Sequence, residues 1–147
     1  MNADPVASII AGGLAAGDEI AGCTEQEIGA LEAAFGRPLP SSYRAFLAVM
    51  GKSAGEFMRG TDMFHEHLAG LRAAAESLGL KSHPPVELRP TDWVFAMHQG
   101  YQFLYFDASA GADPAVFHVM EGEGPKPVAA SFSDWLDGAI EDEIEGG

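Results

Sequence analysis

One cysteine, Cys23, is all the chain of 147 residues contains. That excludes an internal disulfide and fits a reducing compartment, where Cys23 serves as a small residue just ahead of a helix. Bases are scarce: 8 Lys and Arg stand against 22 Asp and Glu, a formal charge of −14. Such a field repels nucleic acid and gives no purchase for a basic nucleic-acid surface. Long apolar runs are also missing; none reaches the roughly 18 consecutive residues of a membrane span. The apolar stretch from Met1 to Ala16 carries Asp4 and no Lys or Arg. A secretory signal needs a positive start, so this stretch is not read as one. The expectation is a cytoplasmic protein without nucleic-acid or membrane contacts.

Catalytic signatures are equally thin. His65-Glu66-His67 lacks the one-turn spacing that lets two helical histidines share a metal. Gly100, Gly111, Gly122 and Gly124 do not form a phosphate loop, and no Ser–His or Cys–His signature is present. His98 and His118 fall on separate expected strands, where they could meet across a sheet with Asp107 nearby. That trio is the one small-ligand, metal or enzymatic alternative. The expectation is otherwise no catalytic residue, no metal and no cofactor.

What the chain does have is a run of capped amphipathic segments. Asp4-Pro5 opens a short helix that Gly12-Gly13 ends. The segment 1–21 is expected to be peripheral to one domain spanning 1–147. Thr24 and Glu27 form a capping box, with Ile28, Leu31 and Phe35 as the stripe and Gly36 as the stop. Pro40 then breaks the chain, Ser41 or Ser42 is positioned to cap, and Tyr43, Phe46, Leu47 and Met50 recur at helical spacing before Gly51. Thr61 or Asp62 would cap a further helix reaching Leu78, with Phe64, Leu68, Leu71 and Ala75 as its apolar stripe.

After His83-Pro84-Pro85 the character changes. Trp93–His98 and Tyr101–Phe106 read as a hairpin about Gln99-Gly100, or a longer loop, because Gln fits a two-residue turn poorly. Ala115–Met120 is a third strand and Val128–Ala130 a short fourth. Ser131 caps a last helix striped by Phe132, Trp135, Leu136, Ala139 and Ile140. Helices, then hairpin-linked strands, then a helix predict an α+β fold with an antiparallel or mixed sheet. Tyr43, Phe46, Leu47, Phe103, Phe117, Phe132 and Trp135 are the expected buried set.

Charge is unevenly spread. Residues 1–36 hold six acids and no base, 37–106 six acids and seven bases, and 107–147 ten acids and one base. Acidic ends attract a basic partner. The candidate partner-binding residues are the exposed carboxylates expected on two turns and the last helix end: Asp107, Asp113, Glu121, Glu123, Glu141, Asp142, Glu143 and Glu145. An exposed aromatic or Met anchor is expected beside them, since charge alone gives weak binding.

The ordered blocks Thr24 with Glu27-Ile28, Leu31-Glu32, Phe35-Gly36, Leu39-Pro40 with Tyr43, Phe46 and Leu47, then Val94-Phe95-Ala96, Gly100, Phe103, Phe106-Asp107, Pro114 with Val116-Phe117, and Ser131-Phe132 with Trp135-Leu136 resemble the SMI1/KNR4 family, the SUKH superfamily. The resemblance runs over roughly residues 22–140. It implies an α+β fold of a sheet flanked by helices, no catalytic residues, and a role as an immunity protein that neutralises a bacterial toxin, often a nuclease. Regulation through protein contacts is the other role it implies. The partner expected is a basic toxin domain, and the chain itself a monomer or weak dimer.

Overall fold

A computed structural model describes residues 4–82 and 84–146. His83, part of the expected boundary His83-Pro84-Pro85, lies outside them. The described chain forms α1 (Pro5–Ala11), a 3-10 turn (Gly17–Glu19), β1 (Ile20–Ala21), α2 (Glu25–Phe35), α3 (Ser41–Met50), β2 (Ser53–Ala54), β3 (Thr61–Asp62), α4 (His65–Gly79), β4 (Asp92–His98), β5 (Gln102–Asp107), β6 (Val116–Met120), β7 (Lys126–Ala129) and α5 (Phe132–Gly146). This is an α+β fold. Its main sheet is antiparallel throughout, in the order β3-β4-β5-β6-β7, and β1 pairs with β2 in a small second sheet.

Local chemistry explains most helix starts. Asp4 accepts from Ala7 N at 3.2 Å, with Pro5 at the first helical position. Thr24 Oγ1 accepts from Glu27 N at 3.1 Å, and Glu27 Oε1 accepts from Thr24 N at 2.9 Å, completing the capping box. Gly36 ends α2 in the left-handed region, at φ 91°, where a Cβ is disfavoured. Ser131 Oγ accepts from Asp134 N at 3.0 Å at the start of α5.

Two expected caps are corrected. Pro40 takes the cap position of α3, so Ser41 is already helical, and its hydroxyl donates to Ala112 O at 3.4 Å. Thr61 and Asp62 cap nothing. They pair with His98 and Met97 as the edge strand β3, and α4 begins at His65 behind Phe64. The last strand also starts earlier than expected, at Lys126. The Gln99-Gly100 turn is tight after all: both residues are left-handed, at φ 51° and 80°, with Tyr101 N donating to His98 O at 3.2 Å.

One hydrophobic cluster takes side chains from all five helices and the main sheet. Its centre is aromatic. The Tyr43 ring meets Phe106 and Phe132 edge-on, each at 5.3 Å between centroids, and Phe46 at 5.8 Å. A register shift between Val94 and Ala96 leaves Phe95 without a paired residue. A bulge of this kind re-aims a side chain; here Phe95 meets Tyr43, Phe106, Phe132 and Trp135. Burial pushes the Tyr43 phenol well above its ordinary range, against the Trp93 indole.

Tyr43, Phe46, Leu47, Phe103 and Phe132 are buried as expected, but Phe117 and Trp135 are only partly so. Phe117 stacks on Tyr105 near the sheet's edge, and Trp135 packs one ring edge on Phe95 while its flank lines a surface groove. The N-terminal segment is packed in rather than peripheral from Pro5 onward: Ile9 is fully buried, α1 lies on α5, and Ile20-Ala21 pairs with Ala54-Ser53.

Candidate functional site

The eight candidate carboxylates do not form one patch. Asp107 ends β5 and Asp113 follows it in the loop to β6, whereas Glu121 and Glu123 sit at the opposite end of the sheet, where Glu121 N donates to Tyr101 O at 2.8 Å. Glu141, Asp142, Glu143 and Glu145 line the last turns of α5.

Several carboxylates are committed to the fold. Asp107 is half-buried, which corrects its expected exposure. Its Oδ1 accepts from Ser109 N at 2.9 Å and Ser109 Oγ at 2.6 Å, and its other oxygen lies 3.4 Å from Arg89. Burial raises its pKa, but the Ser109 bonds, Thr91 and Arg89 outweigh this and hold it below the ordinary value. Asp113 is exposed, yet Oδ1 accepts from Ser133 N at 2.9 Å and so helps cap α5. Glu123 pairs with Lys126 at 3.0 Å. Glu143, also half-buried against expectation, accepts from Met58 N at 2.5 Å and holds a residue in the left-handed region at φ 55°.

Glu121, Glu141, Asp142 and Glu145 are different. All four are exposed, and their carboxylates form no ion pair among the described residues. Asp134, one face of α5 further back, shares that state. Charges of one sign left unpaired in this way are available to a partner.

Between the sheet and α5 runs an open groove of about 560 Å³. Sheet register builds one wall: Leu104 of β5 pairs with Ala96 of β4 and His118 of β6, so the three share a face, and Leu104 and His118 line the groove. His98 and Gln102 follow two residues along on that face, and Thr61 pairs with His98 from β3. The other wall is the α5 stripe Asp134, Trp135, Gly138, Ala139, Asp142 and Glu143, and Met58-Arg59 closes one end.

His98 and His118 therefore do share a groove, but Asp107 does not join them. It pairs with Asp92 at the far end of β5, so the expected trio is corrected to a pair. Each histidine already has a neutral partner: Thr61 Oγ1 lies 2.9 Å from His98 Nδ1, and Gln102 Oε1 accepts from His118 Nε2 at 2.6 Å. Burial pushes the His118 pKa down, against the pull of Glu123 and with Lys126 adding to the depression. At neutral pH His118 is an uncharged donor to Gln102. His65 and His67 part company on α4: His65 faces Glu27 at 4.0 Å and His67 faces Asp62 at 3.6 Å. Among the described residues no three His, Cys, Asp or Glu side chains gather as a metal set, and no helix is long and apolar enough to cross a membrane.

Trp135, Gly138, Met58 and Leu104 are the groove residues that sequence reasoning did not single out as a site. Trp135 reads as core because its period matches buried neighbours, and Leu104 is read only as part of a strand. For Leu104 the signal is register: it shares a face with polar His98, Gln102 and His118, whereas Phe103 on the other face has only apolar pairs in Met97 and Val119.

Comparison with protein families finds that the SMI1 / KNR4 family (SUKH-1) matches residues 22–138. Comparison with curated proteins finds no match.

Proposed function

This chain belongs to the SMI1/KNR4 (SUKH-1) family, and from that membership we propose that it is a protein-binding immunity protein that neutralises a bacterial toxin, with a basic nuclease domain as the partner. The observation that carries the basic partner is the set of exposed carboxylates without ion pairs on α5 and the β6–β7 turn, Asp134, Glu141, Asp142, Glu145 and Glu121. A nuclease presents Lys and Arg to phosphates. Carboxylates on a rigid helix offer the same surface an alternative set of anions, and their field speeds encounter by roughly 10–10³-fold at low salt. Neutralisation then needs no chemistry from this chain: occupying the toxin's substrate surface is enough. A regulatory contact with a different basic protein would use the same carboxylates, so the toxin is what the test must supply.

The test is genetic and cheap. The reading frame beside this gene is expected to encode a large toxin with a basic C-terminal domain. That domain expressed alone should stop growth, and co-expression of this chain should restore it. A neighbouring toxin that kills equally with and without this chain would refute the immunity role.

A further inference from the structure

We propose that the groove between α5 and the main sheet is a docking site for an extended, basic segment of a partner protein, with two cationic side chains four residues apart and an apolar one between them. This deepens the protein-binding reading above and rests on it. The spacing comes from α5. Asp134, Gly138 and Asp142 lie at i, i+4 and i+8 and line the same wall, so the two carboxylates stand about 12 Å apart along the axis. An extended chain advances about 3.3 Å per residue and returns to the same face every second residue. Residues i and i+4 of such a segment are thus about 13 Å apart on one face, and i+2 falls between them.

The middle position has its own receptor. Gly138 carries no side chain, and a Cβ built there meets nothing within 4 Å. Beside it on α5 lie Ala139 and the half-buried flank of Trp135, and Leu104 faces them from the sheet. An apolar side chain entering there covers carbon that water now touches, and acids at both ends bring cations above it. Charge within the groove is one-sided. Asp134 and Asp142 are exposed and lack ion pairs, Glu143 is committed to Met58, and the one cation, Arg59, is held by Glu56 at 2.7 Å. A compact anionic ligand finds no free cation here, and His98 and His118 are occupied by Thr61 and Gln102.

The test titrates the isotopically labelled full chain with the peptide acetyl-Arg-Ser-Leu-Ser-Arg-amide and follows amide shifts. Two control peptides are acetyl-Glu-Ser-Leu-Ser-Glu-amide and the rearranged acetyl-Arg-Arg-Ser-Ser-Leu-amide. Saturable shifts are expected at Thr61, His98, Leu104, His118, Trp135 and Gly138, at least threefold weaker binding for the rearranged peptide, and none for the acidic one. Gly138→Arg should weaken binding at least tenfold. Gly29→Arg, an open helical glycine on α2, should change it less than twofold. Equal binding by the two Gly variants, shifts spread over every acidic surface, or no shifts would each overturn the proposal. So would a wild-type dimer that Gly138→Arg splits, since the groove would then belong to a second copy. The two readings fail separately: growth rescue without peptide binding removes the groove and keeps immunity, and peptide binding without rescue does the reverse.

Discussion

Phe46 and Glu27 show how much a single side chain carries in this fold. Phe46 is 2 % exposed and packs edge-on against Phe132 at 5.7 Å. Phe46→Ala empties a ring-sized volume in an aromatic cluster. The expected loss is about 3–5 kcal/mol of unfolding free energy in a denaturant titration; a loss under about 1 kcal/mol would mean the ring is not core. Glu27 acts through charge. Its carboxylate accepts from the Thr24 backbone and pairs with Lys52 at 3.0 Å, which lowers its pKa to about 2. Because the folded pKa lies below the unfolded one, the stabilisation is present in full above the ordinary glutamate value and is lost as pH falls through it toward about 2. Glu27→Gln should therefore flatten the acid limb of stability between those values in thermal melts across pH, and an unchanged acid limb would contradict the assignment. Both residues were legible before the structure, Phe46 from its helical spacing and Glu27 from the capping box. Gly22 was not: a Cβ there would come within 1.9 Å of Ala48 O, and nothing local records that α3 passes so close.

Among the elements, the three helices whose ends are set by nearby residues, α1, α2 and α5, were legible because a cap is a short-range event. The start of α4 was not. Thr61 and Asp62 have the chemistry of caps, but pairing with His98 and Met97 claims them for a strand more than thirty residues away in sequence, and propensity yields to such pairing. The same distance effect divides the carboxylates of α5. Composition reads Glu141, Asp142, Glu143 and Glu145 as one acidic tail; the fold separates Glu143, whose oxygen accepts from Met58 N. Glu143→Ala leaves that part-buried N–H unsatisfied and should cost about 1–2 kcal/mol. Glu145→Ala removes an acid from the negative end of the helix dipole and should be neutral or raise stability by a few tenths of a kcal/mol. Paired thermal melts check this; equal effects from the two would return Glu143 to the solvated tail.

For the molecule as a whole, fold class was readable because helical and alternating periods follow each other in blocks, and an antiparallel sheet needs only the turns between strands. The pattern of unpaired surface charge was half readable. Composition located the excess charge, but which carboxylates are spent internally is decided by partners as distant as Ser133 to Asp113 and Met58 to Glu143. Of the groove only the meeting of His98 and His118 across the sheet was legible; that Leu104 and one face of α5 join them is decided by strand register and packing. The central claim, that this acidic chain binds a basic toxin domain through charges it leaves unpaired, is tested most directly by association kinetics. The rate constant for the toxin domain is measured at low and at physiological salt, for the wild type and for Glu141→Gln, Asp142→Asn and Glu145→Gln combined, with Glu143 kept. The wild type should associate at least tenfold faster at low salt, and the triple variant should lose most of that gain with its melting temperature unchanged. Equal rates for the two proteins at low salt, with no salt dependence in either, would contradict it.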